Sequence, residues 1–323
     1  MKKRTIVIFG VSSFVGSNLA MFLKENYRVI GTYYQYRVVI PGVLTVPCDI
    51  LSRDGIQMVL YTFKPDITIY AAGLSSIEHC SNYEKYADAL NTGGVFNTVS
   101  FTERYKSKLI YLSSAYIFSG ENKLNHENDT PLPNTVLGKT KASSEFYIQK
   151  SCLNYVVFRC CNFYGRSLNP RQVNWFERME RKLFKSDQVG MDSKIIIGFL
   201  DIYYLAEAIK VVIEENITNR LFQISSSDSM THFDFTKLYL EIFRQNVALV
   251  KKSNWDFREL DSPVVDLGDA DKYYYMLDTE NIEYSLGLKL PSIRESLEAT
   301  YKGFGGGVQS SRSSKKTGDI TFI

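Results

Sequence analysis

The chain is poor in the residues that hold metals. Its three histidines, His79, His126 and His232, have no ligand spacing to one another, so a zinc centre is not expected. The five cysteines, Cys48, Cys80, Cys152, Cys160 and Cys161, include no C-x-x-C pair. An odd number without a secretory signal points to a reducing, cytoplasmic compartment and buried thiols. No run approaches the roughly 18 uninterrupted apolar residues of a membrane span. Met1-Lys2-Lys3-Arg4 ahead of residues 5–11 imitates the start of a signal peptide, but Gly10, Ser12, Ser13, Gly16 and Asn18 interrupt it and no A-x-A site follows. Charge of one sign is also scarce. The net charge is +3, and Lys302, Arg312, Lys315 and Lys316 against Asp319 carry all of it. The neutral remainder lacks the clustered cations that a nucleic-acid partner requires.

What is present is a core. Of 323 residues, 45% are hydrophobic and 23% charged, enough for about two domains or one large α/β unit with an appendage. Continuous apolar runs at 5–9, 28–33, 43–46, 66–71, 108–112 and 155–159 read as buried strands. Helix-period segments at 14–26, 53–63, 83–105 and 135–150 separate them. That alternation predicts a doubly wound α/β fold of Rossmann type, with a parallel sheet covered on both faces. After Cys161 the rhythm loosens. Helices are expected at 175–184, 203–215, 233–243 and 291–301, and strands at 195–199 and 221–225. The expected division is a nucleotide-binding domain over 1–161, rejoined by 195–221, and a smaller C-terminal α/β substrate cap over 162–302. Residues 303–323 form a Gly/Ser/Lys-rich tail.

The first strand-to-helix junction reads Gly10-Val11-Ser12-Ser13-Phe14-Val15-Gly16, a G-x-x-G-x-x-G turn with Ser13 at the middle glycine. In this context Gly10 permits the tight turn and Gly16 a close helix. The first N–H groups of the helix then face a dinucleotide pyrophosphate. The Ser13 hydroxyl is a further candidate donor to phosphate. The end of the second strand, Gly31-Thr32-Tyr33-Tyr34-Gln35-Tyr36-Arg37, lacks the acid that accepts from an NAD ribose. Arg37 is either a partner for the 2′-phosphate of NADP(H), which would favour that cofactor, or a solvated loop charge.

Further motifs follow in order: Pro47-Cys48-Asp49-Ile50, Pro65-Asp66, Ala71-Ala72-Gly73, Asn91, Ser113-Ser114-Ala115-Tyr116-Ile117-Phe118-Ser119-Gly120, Pro131, Gly138-Lys139-Thr140-Lys141 and Arg159 with Phe163-Tyr164-Gly165. With the glycine turn, this series resembles the extended short-chain dehydrogenases. Within them it is most similar to the dTDP-4-dehydrorhamnose reductases and their relatives, one of which is the regulatory subunit of methionine adenosyltransferase. The resemblance spans about residues 2–301. It implies that Asp49 and Ile50 flank the adenine and that Ala71, Ala72 and Gly73 lie along the cofactor ribose. Asn91 would support the active-site backbone and water, and Ser114 would bond a substrate carbonyl. Lys141 would bind the nicotinamide ribose, Cys161 and Asn162 would touch the nicotinamide end, and the cap would hold a nucleotide sugar.

One position departs from the family's Y-x-x-x-K. The lysine is Lys141, but the tyrosine position is Leu137. The tyrosine gives a proton to the carbonyl oxygen as hydride arrives, and leucine cannot; general acid catalysis contributes about 10²–10⁴-fold. Three readings follow. A substitute donor acts: Tyr116, two residues past Ser114 and on its face if the strand continues, or Tyr164, or a water held by Ser114 and Lys141. Alternatively the chain binds nucleotide as a regulatory or scaffold protein, with a protein partner or a second copy of itself. In the third, Leu137 is an introduced substitution. The vicinal Cys160-Cys161 pair is either redox-sensitive or simply buried.

Overall fold

The computed structural model describes residues 3–121, 124–170, 172–185, 188–253 and 270–302. The tail expected at 303–323 lies outside the described residues. The strands are β1 (Thr5–Phe9), β2 (Arg28–Tyr33), β3 (Leu44–Pro47), β4 (Ile67–Tyr70), β5 (Lys108–Ser114), β6 (Tyr155–Cys160), β7 (Asn162–Tyr164), β8 (Val189–Met191), β9 (Ile195–Ile197), β10 (Phe199–Asp201), β11 (Arg220–Ile224), β12 (Val250–Lys252) and β13 (Tyr273–Tyr275). The helices are α1 (Phe14–Leu23), α2 (Arg53–Phe63), α3 (Ile77–Asn82), α4 (Glu84–Asp88), α5 (Gly94–Tyr105), α6 (Val136–Ser151), α7 (Trp175–Phe184), α8 (Ile202–Glu214), α9 (His232–Ile242), α10 (Glu280–Leu286) and α11 (Ile293–Tyr301).

Seven strands make one parallel sheet in the order β11-β6-β5-β4-β1-β2-β3. Both faces are dry. In β1, Ile6 and Ile8 pack with Leu19, Leu23, Leu205 and Ile209 of α1 and α8, while Val7 and Phe9 pack with Ile56, Leu60, Val95 and Val99 of α2 and α5. A strand buried on both sides must be apolar throughout, which is why it reads as an unbroken run. The chain runs outward from β1 to β3 on one side and from β4 onward on the other. The switch point, where such folds hold their ligands, therefore lies at the carboxyl ends of β1 and β4. This is the doubly wound α/β architecture expected from the sequence.

Beyond β6 the strands other than β11 are short and pair in twos: β10 with β7, β12 with β8 and β13 with β9, all parallel. Their side chains share one apolar cluster with Tyr116, Ile117 and Leu137 of the first half. Two expected elements are revised. The strand expected at 195–199 is split by Gly198 into β9 and β10, which take different partners. The helix expected at 83–105 is interrupted by a π-helical turn, Ala89–Gly93. The buried Tyr70 hydroxyl donates to the Leu90 carbonyl at 2.8 Å, and the Gly94 N–H reaches back to Ala89 instead. A carbonyl diverted to a side chain leaves the ordinary ladder one residue out of step.

Candidate active site

Gly10 leaves β1 with φ +89°, a conformation that glycine adopts without strain. Its N–H and that of Val11 donate to the Thr32 carbonyl at 3.1 and 2.8 Å, tying the turn to β2. A Cβ on Gly10 would stand 2.8 Å from the Ala71 carbonyl oxygen, and one on Gly16 would strike the Gly10 carbonyl oxygen. Ser13 is the N-cap of α1. Its Oγ accepts from Gly16 N–H at 3.0 Å and donates to the Gly10 carbonyl at 2.8 Å. The hydroxyl is thus committed inside the turn rather than offered to phosphate. The next helical N–H groups, Phe14 and Val15, have no carbonyl one turn back within the helix, the donor set that suits a pyrophosphate. Arg37 is exposed in the loop after β2.

At the end of β4 the Ala71 N–H donates to Phe9, so Ala71, Ala72 and Gly73 run beside the turn. Asn91, in the π-turn, is wholly buried. Its Oδ1 accepts from Leu74 N–H at 2.9 Å, and its Nδ2 donates to the Leu74 carbonyl at 3.0 Å and to Thr140 Oγ1 at 3.1 Å. Asn91 therefore clamps the backbone after Gly73 to α6. Asp49 Oδ1 accepts from Leu51 N–H at 2.9 Å, and Ile50 is buried against α5.

Ser114 is the last residue of β5. Tyr116 lies in a 3₁₀ turn, Ala115–Ile117, whose Tyr116 N–H donates to Ser114 Oγ at 3.3 Å. The strand does not continue, so the shared-face argument for these two residues fails. The Tyr116 ring is buried edge-on against Tyr275 at 4.6 Å. Burial drives its hydroxyl well above the usual phenol range, Tyr275, Glu78 and Asp192 add to this, and the Asn162 amide pulls weakly the other way. Tyr164 is fully buried, with its hydroxyl 2.5 Å from Ser296 Oγ. Both tyrosines are poor acids at neutral pH.

Lys141 follows Leu137 by one turn of α6. Its Nζ donates to the Leu112 carbonyl at 2.8 Å and lies 5.1 Å from the Tyr111 ring centre. Burial lowers its pKa to about 8, against smaller opposing contributions from Cys160, Cys80 and Glu145. Leu137 itself is 2% exposed, in the cluster that contains Tyr116, Cys80 and Tyr275. Asn162 opens β7, and its Nδ2 is 3.0 Å from His232 Nε2. Burial alone drops the His232 pKa to about 3, so the ring is neutral. All five cysteines are free and buried. Burial lifts Cys161 to about 12 and Cys160 well above its usual value, which leaves both as inert thiols.

The fold thus brings Gly10–Gly16, residues 71–73, Asn91, Ser114 and Lys141 to the carboxyl edge of the sheet. Sequence reasoning missed Thr140, Glu78, His232 and Tyr275. Thr140 sits within the Gly138–Lys141 motif and could have been suspected; the others come from distant segments and carry no local signal. Among the described residues no group of three His, Cys, Asp or Glu side chains could hold a metal ion, and no helix is long and apolar enough to cross a membrane. A polar cavity of about 770 Å³ lies beyond α6, lined by Arg159, Glu145 and Asp278 among others; none of the expected site residues lines it.

Comparison with known proteins gives the family and the fold. Residues 4–304 match the family described as RmlD substrate binding domain. The chain is 26% identical over 190 residues to methionine adenosyltransferase 2 subunit beta of Bos taurus, a match covering 58% of this chain and 56% of that protein. It is 23% identical over 251 residues to dTDP-4-dehydrorhamnose reductase of Aggregatibacter actinomycetemcomitans, covering 75% and 79%. The fold matches the crystal structure of dTDP-4-dehydrorhamnose reductase from Bacillus anthracis str. Ames in complex with NADP, with a TM-score of 0.78, 20% identity, and 94% and 100% of the two chains covered.

Proposed function

The chain belongs to the RmlD substrate-binding family, and from that premise we propose that it binds NADP(H) at the carboxyl edge of its sheet and is catalytically impaired, serving as a nucleotide-binding regulatory or scaffold protein. The observation that carries this reading is Leu137, which precedes Lys141 by four residues, where the family resemblance puts the proton-donating tyrosine, and lies buried in an apolar cluster. Gly10, Gly16 and the Phe14 and Val15 N–H groups would receive the pyrophosphate. Asp49 and Ile50 would flank the adenine, Ala71, Ala72 and Gly73 the ribose, and Arg37 the 2′-phosphate. Lys141 would hold the nicotinamide ribose, with Asn91 fixing the backbone between them and Cys161 and Asn162 at the nicotinamide end.

When bound, the nicotinamide supplies a hydride to a carbonyl carbon. The protein must then protonate the carbonyl oxygen. Ser114 can align that oxygen, and its Oγ already accepts from Tyr116 N–H. Lys141 is turned to Leu112, and Tyr116 is buried with its proton held more tightly than in water. The family resemblance and intact Ser114 and Lys141 also support the alternative, a reductase or epimerase of a 4-keto nucleotide sugar with Tyr116 as substitute acid. The ligand would be a nucleotide or nucleotide sugar under either reading. Under the first, the bound state would be reported to a protein partner or a second copy, within a reducing, cytoplasmic compartment.

Thermal shift and turnover test the proposal together. NADPH should raise the melting temperature more than NADH, and Arg37→Ala should remove the difference. Turnover of 4-keto nucleotide sugars should fall about 10²–10⁴-fold below that of a Tyr-bearing relative. Robust turnover abolished by Tyr116→Phe would establish the alternative, and no shift from either dinucleotide would overturn the binding site itself.

A further inference from the structure

The phosphate turn is held from two directions. From within, Ser13 N–H donates to Gly10 and Ser17 Oγ donates to the Ser13 carbonyl at 2.8 Å. From outside comes a segment that joins β7 to α7 and belongs to the second half of the chain. Gly165 leaves β7 with φ +140°, and residues 165–169 then cross the start of α1. Asn169, with no exposed surface, donates its Nδ2 to the Ser12 carbonyl at 3.1 Å. Asn18, on α1, donates its Nδ2 to Phe14 at 2.8 Å and to the Arg166 carbonyl at 2.9 Å. Asn174, the N-cap of α7, closes the far end by donating to the Gly165 carbonyl at 2.9 Å.

These bonds fall on the peptide units that matter. A carbonyl and the next N–H share one rigid plane. Fixing the Ser12 carbonyl fixes the peptide whose Ser13 N–H closes the turn onto Gly10, and fixing the Phe14 carbonyl aims the uncommitted Val15 N–H. The orientation of the turn's donors is therefore set in part by a crossing strap whose other end is the capping residue of a cap helix. Donors already held in place avoid the ordering cost that mobile ones incur on binding.

We propose that Asn169, with Asn18, positions the phosphate turn from the cap side, so that dinucleotide affinity and the order of the 165–169 strap are coupled. This rests on the dinucleotide reading given above. By linkage, each should strengthen the other.

The test titrates the full chain with NADPH and follows hydrogen exchange over residues 163–176 with and without it. NADPH should slow exchange in this segment of the wild type. Asn169→Ala should weaken NADPH binding about three- to tenfold, the effect of one net hydrogen bond, and abolish the NADPH-dependent protection of the strap. Asn169→Asp keeps the shape but cannot donate, and should do the same if the alanine variant folds poorly; Asn18→Ala should weaken binding from the other side. A purely structural asparagine would alter stability without altering NADPH affinity. If the wild type binds NADPH and the Asn169 variants bind it equally well with unchanged strap protection, the positioning role is wrong and the binding site stands. If the wild type does not bind NADPH, the dinucleotide reading falls and this inference with it.

Discussion

At the scale of single residues, the question is whether Leu137 is a lone deletion or part of a site that has been repacked. Leu137 does not stand at an open wall; it is covered by an apolar cluster in which the Tyr116 and Tyr275 rings meet. A phenol at 137 would bring a larger ring and a hydroxyl into that cluster. Overpacking of this kind costs typically about 1–3 kcal/mol, and a hydroxyl left without a partner adds to it. Leu137→Tyr is therefore expected to lower stability and to leave turnover of a 4-keto nucleotide sugar low, with NADPH affinity unchanged. Steady-state rates and a urea titration would check this. A gain of about 10²-fold or more would show instead that the acid alone was missing and that Ser114 and Lys141 were waiting for it.

At the scale of elements, what could be read from sequence depended on whether an element's own residues determine it. The strand β1, the helix α2 with Ser52 as its N-cap and the helix α7 with its Asn174–Glu177 capping box declare themselves through local pattern and caps. The break before α5 does not, because Tyr70, some twenty residues away, draws off the Leu90 carbonyl. Nor does the 3₁₀ turn that moves Tyr116 off the face of Ser114. The glycine turn, Asn91, Ser114 and Lys141 are legible as a series; the surroundings that raise the Tyr116 pKa are not, since Tyr275, Glu78 and Asp192 come from other segments. One cap residue gives a pH-dependent test. Asp201 is the N-cap of α8, with Oδ1 accepting from Tyr203 N–H at 2.9 Å and Oδ2 accepting from Thr300 Oγ1 at 3.3 Å. Burial outweighs both bonds and raises its pKa to about 6. The folded carboxyl therefore keeps its proton to higher pH than the unfolded one. Its favourable contribution is complete below about pH 4 and is lost as pH rises to about 6. Asp201→Asn keeps the capping oxygen and does not titrate. It should stabilise the protein by about 1–3 kcal/mol at pH 7–8 relative to wild type, an advantage that vanishes near pH 4. Thermal melts across that range would measure it, and a pH-independent difference would contradict the assignment.

At the scale of the whole molecule, the two halves are not separate bodies joined by a linker. One apolar cluster takes Cys80, Tyr116, Ile117 and Leu137 from the sheet half and Phe176, Phe199, Phe235 and Tyr275 from the cap half. The chain also crosses back: β11 forms the sheet edge beside β6 after the cap has begun, and α8 packs in the same core as α1. Unfolding the cap alone would expose the Tyr116 and Leu137 side of the sheet half, and unfolding the sheet would strip the support from β11 and α8. The expected behaviour is a single cooperative transition. It can be observed in Trp255→Phe, which leaves Trp175 as the sole tryptophan. Trp175 belongs to the cap, with its ring centroid 5.5 Å from Phe199 and 5.3 Å from Phe235. Its fluorescence and the far-ultraviolet circular dichroism of the sheet and helices should give coincident midpoints in urea. Because the transition is shared, NADPH at about 100 times its dissociation constant should move both midpoints together, by about 2.7 kcal/mol of added stability. If the tryptophan signal melted first and only the dichroism midpoint responded to NADPH, the shared cluster would be too weak to join the halves. The cap would then be a body that can open independently of the bound dinucleotide.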